Sequence, residues 1–112
     1  MRISIEDDKK IAIFYIEKNM ISEDVDELEE KINSIRESNI SSLIFDFSNV
    51  EYMCSSALGL IASTLRFASE NNGSIYFSSL SKQLESLFEA IKFLSIVNVT
   101  KTSQEALNII RG

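Results

Sequence analysis

A single α/β domain spanning residues 1–112, with a mixed, mainly parallel sheet in the order ββαβαβαβα, is predicted by three observations. Short β-prone segments, nearly continuous in apolar residues, alternate with segments whose apolar residues recur at steps of three and four. That alternation is the mark of buried strands joined by crossover helices. The first two β-prone segments are separated only by the polar run Asp7-Asp8-Lys9-Lys10, which makes an antiparallel hairpin rather than a crossover. No proline, repeat, low-complexity tract or linker interrupts the 112 residues, so no second domain is expected.

Each element has its own warrant. Ile3 and Ile5 alternate with polar residues, as do Ile11, Ile13 and Tyr15. Ala12, Phe14 and Ile16 fill the other parity of the second strand, which is expected to be covered on both faces. Val25, Leu28, Ile32 and Ile35 give the first helix its buried stripe, with Ser22 or Asp24 as its cap and Glu27 at capping-box spacing from Asp24. The acids Glu23, Asp24, Asp26, Glu27, Glu29 and Glu30 read as a solvated start of that helix, favoured by its dipole. Leu43-Ile44-Phe45-Asp46-Phe47 is the next strand. A helix follows Cys54-Ser55-Ser56, with Leu58, Ile61, Ala62, Leu65 and Ala68 on one face, and it closes at Asn71-Asn72-Gly73. Ser74–Ser78 is a strand. Ser81 opens a helix with Leu84, Leu87, Phe88 and Ile91 inward. Ile96–Val99 is the last strand, and Thr102 with Glu105 caps a final helix through Ala106, Leu107 and Ile110.

Composition narrows the function. Eleven Lys and Arg against seventeen Asp and Glu give a net charge of −6. Residues 1–56 hold six bases against thirteen acids, and residues 57–112 five against four. Nucleic acid and anionic membranes need clustered positive charge, so neither is expected as a partner. With no His, neither a Ser-His-Asp triad nor the commonest metal ligand is available. One Cys can form neither an internal disulfide nor a cysteine-rich zinc site, and it suits a reducing cytoplasm. Three glycines, at 59, 73 and 112, build no phosphate-cradling loop. No catalytic residue, cofactor or metal is therefore expected, and the chain is expected not to be an enzyme. The N-terminal Met1–Glu6 lacks the apolar run of a signal peptide, so a cytoplasmic location is expected.

The strand-to-helix junction Cys54-Ser55-Ser56-Ala57-Leu58-Gly59 stands out. In open α/β sheets partners bind at the carboxyl ends of strands, and a helix N-terminus offers free N–H groups to an anion. A serine there can carry a phosphate, and the added charge and bulk would act on any partner pressed against it. A local reading competes with this one: Ser55 or Ser56 caps the helix, Cys54 is a small buried apolar residue, and Gly59 allows close packing on the sheet or on a partner.

Phe45-Asp46-Phe47-Ser48-Asn49-Val50-Glu51-Tyr52-Met53-Cys54-Ser55-Ser56-Ala57-Leu58-Gly59 resembles the signature of STAS domains, the family of bacterial anti-anti-sigma factors (anti-sigma factor antagonists). Asn72–Phe77, Leu84–Phe88, Phe93-Leu94 and Ser103–Leu107 are similar to the family in register, so the resemblance covers almost the whole chain. It implies the STAS-like fold in the ββαβαβαβα order. It also implies a non-enzymatic regulator that binds an anti-sigma serine kinase, is released when that kinase phosphorylates Ser55, and is reset by a serine phosphatase. Ser56, the next position, is the alternative acceptor. Three departures from the family pattern stand out: Cys54 replaces the motif Asp, Ala57 the motif Gly, and Ile21 a second acid. The resemblance places partner binding on Met20, Ile21, Met53, Cys54, Ser55, Ser56, Ala57, Leu58 and Gly59, and the departures imply a more apolar surface around Met20, Ile21, Met53 and Cys54. Two other readings fit the same residues: a constitutive STAS docking or scaffold subunit of a sensory or lipid-transport complex, and a small-molecule domain that binds a nucleotide at the helix start.

Overall fold

The computed structural model describes residues 1–7 and 10–112. Strands β1 (Arg2–Glu6), β2 (Ile11–Tyr15), β3 (Ser42–Asp46), β4 (Ser74–Ser78) and β5 (Asn98–Thr100) form one sheet in sequential order. β1 lies antiparallel to β2, and the other three pairs are parallel. The expected hairpin is present, although Asp8 and Lys9 of its turn lie outside the described residues. Four helices follow β2, β3, β4 and β5 in turn: α1 (Val25–Arg36), α2 (Ser55–Glu70), α3 (Lys82–Ala90) and α4 (Ser103–Arg111). Short 3-10 turns occupy Ser22–Asp24 and Phe93–Ser95.

Sequential strand order explains the layers. Every right-handed crossover steps in the same direction, so α1, α2 and α3 fall on one face of the sheet. There Leu28, Ile32, Ile61, Leu65, Leu84 and Phe88 bury against Phe14, Phe45, Phe47 and Phe77. The phenylalanines pack on one another: Phe14 and Phe45 stack with ring centroids 5.0 Å apart, and Phe47 meets Phe88 edge to face at 5.2 Å. α4, with no further strand to reach, covers the opposite face through Ala106 and Leu107 on Ile11, Ile13 and Ile44. β2 is thus covered on both faces, as its unbroken apolar run requires.

Several boundaries differ from the sequence reading. Asp24 does not cap α1 with its side chain; the helix is led in by the 3-10 turn, and the carboxylate turns elsewhere. α2 closes at Asn71-Asn72-Gly73 as expected, with Asn72 in the left-handed conformation at φ 58°. Gly73 serves close approach instead: a Cβ there would meet the carbonyl oxygens of Ala68 and Ser41, each at 3.3 Å. Ile91 lies beyond the end of α3 and is exposed. β5 starts later than Ile96, because Ile96 closes the 3-10 turn by donating to the Phe93 carbonyl. Ser81 and Thr102 cap α3 and α4 as expected, accepting from the Leu84 and Glu105 N–H groups at 3.1 and 3.0 Å. The acids Glu23, Asp26, Glu27, Glu29 and Glu30 are all exposed.

Candidate functional site

The junction that precedes α2 rests on two loops stitched together. After β3, the buried Asp46 carboxylate accepts from the Ser48 N–H at 2.9 Å and from its hydroxyl at 2.6 Å, which closes the chain into a turn. Asn49 continues that turn in the left-handed region, at φ 66°. Asn19, in the loop after β2, then reaches across. Its side-chain oxygen accepts from the Glu51 and Tyr52 N–H groups at 2.7 and 3.1 Å. Met20 and Met53 form a parallel bridge: the Met20 N–H donates to the Tyr52 carbonyl at 3.1 Å, and the Cys54 N–H to the Met20 carbonyl at 2.9 Å.

The bridge decides where α2 starts. It holds Cys54 extended, at φ −70° and ψ 161°, so Cys54 is the N-cap and its side chain makes no capping bond. Ser55 and Ser56 are the first two residues inside the helix, and both are exposed. The expectation that one of these serines caps the helix is therefore corrected. Neither stands at the cap position, where side-chain oxygens reach the N–H groups two and three residues on.

The nine expected contact residues separate into two layers. Met20, Met53 and Ala57 are 1%, 2% and 0% exposed and belong to the core under the helix start. They support the surface and do not form it, which corrects the apolar patch expected around both methionines. The physical reason is the bridge itself, which turns both methionine side chains inward. Ser55, Ser56, Gly59 and Ile21 (49% exposed) face outward, with Cys54 and Leu58 half-buried between the layers. Gly59 does not serve packing on the sheet: a Cβ there would meet nothing within 4 Å. Tyr52, 52% exposed beside the junction, belongs to the same surface, although the nine expected residues do not include it. Its signal was parity: Tyr52 precedes the inward Met53 in an extended segment, so it must point outward.

Charge around the site is arranged unusually. α1 carries Asp26 and Glu27 in its first turn, α3 carries Glu85 and α4 carries Glu105, whereas α2 has no acid there. Its positive end is left open to an external anion. An acid on the neighbouring loop, Asp24, is already paired. Asp24 lies 2.8 Å from the Lys18 ammonium and accepts from the Ile21 N–H at 3.0 Å. Lys18, and then that N–H, hold the Asp24 carboxyl below the usual carboxylate range. The arrangement fixes the backbone of Ile21 while its side chain stays exposed.

Among the described residues no group of three or more His, Cys, Asp or Glu is placed to hold a metal ion, and no helix is long and apolar enough to cross a membrane.

Comparison with known proteins agrees with this geometry. The chain is 29% identical over 80 residues to the anti-sigma-B factor antagonist of Staphylococcus aureus, covering 71% of this chain and 74% of that one. A crystal structure described as an anti-sigma factor antagonist of Thermotoga maritima superposes with a TM-score of 0.87 at 21% identity, covering 99% of this chain and 94% of that one. The Bacillus cell fate determinant SpoIIAA in its phosphorylated form superposes with a TM-score of 0.80 at 15% identity, covering 97% of each chain. These structural likenesses establish the shared fold. The STAS domain family model matches residues 2–106, and the chain belongs to the STAS domain family.

Proposed function

We propose that this chain is an anti-sigma factor antagonist that docks onto an anti-sigma serine kinase through the surface around the start of α2, and that phosphorylation of Ser55 releases it. The observation that carries this reading is the state of Ser55: exposed, inside the first turn, and at the one α-helix start among the described residues without an acid in its first turn. A phosphate there would add about −1.5 to −2 charges where the dipole favours them. The fold would tolerate the modification, while a partner lying over Ile21, Tyr52, Ser55, Ser56 and Gly59 would meet new charge and bulk. The neutral Cys54 and Ile21 leave the phosphate without a like-charged neighbour at either position, and Ser56 is the alternative acceptor one residue on. SpoIIAA, which has this fold, is described in a phosphorylated form, in keeping with a phosphate carried on such a scaffold. A serine phosphatase would reset the switch.

A second reading has its own support. Cys54 and Ile21 stand where the family carries acids, and a surface without them suits a constitutive docking subunit with no phospho-switch. Affinity capture separates the two, with the unphosphorylated chain as bait in lysate of the source organism. Recovery of a small serine kinase, lost when the bait carries Ser55→Asp and kept with Ser55→Ala, is the outcome expected. Recovery of large sensor or transporter subunits, equally by both variants, would overturn the switch.

A further inference from the structure

β1 lies at one edge of the sheet, and its outer side has no strand partner among the described residues. Natural edge strands are commonly blunted by lysine, proline or a bulge. β1 reads Arg2-Ile3-Ser4-Ile5-Glu6 and pairs residue for residue with β2, with no lysine, proline or bulge; its two charges, Arg2 and Glu6, stand at its ends with opposite sign. Ile3 and Ile5 pair with Phe14 and Ala12, so they lie on the face that α1 and α2 cover. Ile5 is nevertheless 43% exposed, because it stands at the rim of that cover. Arg2, Ser4 and Glu6 pair with Tyr15, Ile13 and Ile11 and lie on the α4 face.

The order of these five residues is self-complementary. Turned end for end about Ser4 and laid antiparallel to itself, the strand sets Arg2 opposite Glu6, Ile3 opposite Ile5 and Ser4 opposite Ser4. Directly opposed residues of an antiparallel pair share a face and interact. Both charge pairs therefore fall on the α4 face, and both isoleucine pairs on the helix face, where they would cover the exposed Ile5.

We propose that a second copy of this chain pairs with β1 in this register, joining the two five-stranded sheets into one continuous sheet about a two-fold axis at Ser4. Such a contact uses the same patch on both copies and closes at two. The far edge offers no equivalent: β5 has only three residues, Asn98, Val99 and Thr100, with no charge to match. The contacts that Arg2 and Glu6 already make leave room for a partner. Arg2 donates from Nε to Glu17 at 2.8 Å and lies over the Tyr15 ring, yet its side chain is 64% exposed and has further donors. Glu6 accepts from the Ser4 hydroxyl at 2.9 Å and lies 3.7 Å from Arg111, with 35% of its side chain exposed. A contact of one short strand per copy belongs to the small, weak class of interfaces. The two-fold also sets the two β3 strands antiparallel, so the two Ser55 surfaces point to opposite ends of the pair, clear of the seam.

The test is mass by sedimentation or light scattering over a concentration series, with charge swaps. The unmodified chain is expected to move from its 12.7 kDa mass toward twice that value, with a Kd between about 1 µM and about 1 mM. Arg2→Glu and Glu6→Arg are each expected to remain single chains, while their equimolar mixture regains the doubled mass, since each supplies the charge the other needs. Amide exchange of residues 3–5 in the unmodified chain is expected to slow as concentration rises, which reads the seam without any substitution. A single-chain mass at every concentration would overturn the proposal, as would a doubled mass that neither swap removes. A mixture of folded swaps that fails to recover would overturn the register. Open-ended growth beyond two copies would point to β1–β5 pairing and overturn the closed two-fold.

Discussion

The helix starts at α2 and at α4 are built to opposite ends. At α4 the Thr102 hydroxyl accepts the Glu105 N–H, and Glu105 places an acid in the first turn, so both the free donors and the dipole are answered from within. α3 repeats the pattern with Ser81 and Glu85. At α2 the cap residue is Cys54 with no side-chain bond, no acid lies in the first turn, and two hydroxyls stand one and two residues too late to cap. Side-chain capping worth about 1 kcal/mol is thus forgone at α2, as it is at α1, but only α2 also lacks an acid in its first turn. The contrast teaches that one fold can answer the donors and dipole of some helix starts from within while leaving another unanswered.

Four experiments break or sharpen that contrast. The largest effect is expected from Ser55→Asp, which should weaken capture of the proposed anti-sigma partner at least about tenfold, or about 1.4 kcal/mol, while Ser55→Ala binds as the parent does. Calorimetric or surface-binding titration of both variants checks this, and equal affinities would remove the functional meaning of the open start. Next is Ser81→Ala. It loses both the cap on Leu84 and the 2.9 Å bond its hydroxyl donates to the Val50 carbonyl, so a cost of about 1–2 kcal/mol is expected by denaturant unfolding, against a change near zero for Ser55→Ala.

Glycines give a smaller effect of opposite sign. Gly59→Ala should stabilise the fold by about 0.5–1 kcal/mol, because its Cβ meets open space on an exposed helix face. Gly73→Ala should destabilise it, because that Cβ presses on two carbonyl oxygens. Thermal unfolding of the pair reads both signs. A Gly59→Ala chain that is more stable yet binds its partner less well would show that the glycine is kept for the interface.

Smallest is the acid response of the loop before α1. The Asp24 carboxyl is held below its ordinary 3.8 by Lys18 first and then by the Ile21 N–H. Its contribution is fully present above that ordinary value and is lost as pH falls through the lower folded value. Asp24→Asn should therefore narrow the stability gap between neutral pH and pH below about 3.8. Unfolding of both chains across that range checks the sign; a gap unchanged by the substitution would show that the pair with the exposed Lys18 contributes nothing.

How much of this was legible in the sequence differs from residue to residue. Strands β2, β3 and β4 were plain, because runs such as Ile11–Ile16 and Leu43–Phe47 are apolar at both parities and only a doubly covered strand accepts them. The caps Ser81 and Thr102 were plain for a local reason: each has its acceptor three residues before a helical N–H, and the bond that Ser81 donates to Val50 leaves that acceptor free. The cap of α2 was not. Cys54-Ser55-Ser56 offers two ordinary capping hydroxyls, and the register is set by a bond from the Cys54 N–H to Met20, more than thirty positions away in sequence. The same bridge turned Met20 and Met53 inward, so local sequence named the right segment and misjudged which of its side chains faces out. Asp24 failed as a cap for a similar reason, since Lys18 and the Ile21 N–H claim its carboxylate. Partner identity is written in no local pattern here.

The stitching of the two loops by Asn19 and the Met20–Met53 bridge has a kinetic consequence. A partner docking at Ser55 as proposed would meet a surface whose backbone is already hydrogen-bonded in place, so little of the encounter would be spent on ordering it. Association should then run near the ordinary rate for preformed protein surfaces, about 10⁵–10⁷ M⁻¹s⁻¹, and a change of state at Ser55 should be felt mainly in how long the complex lasts.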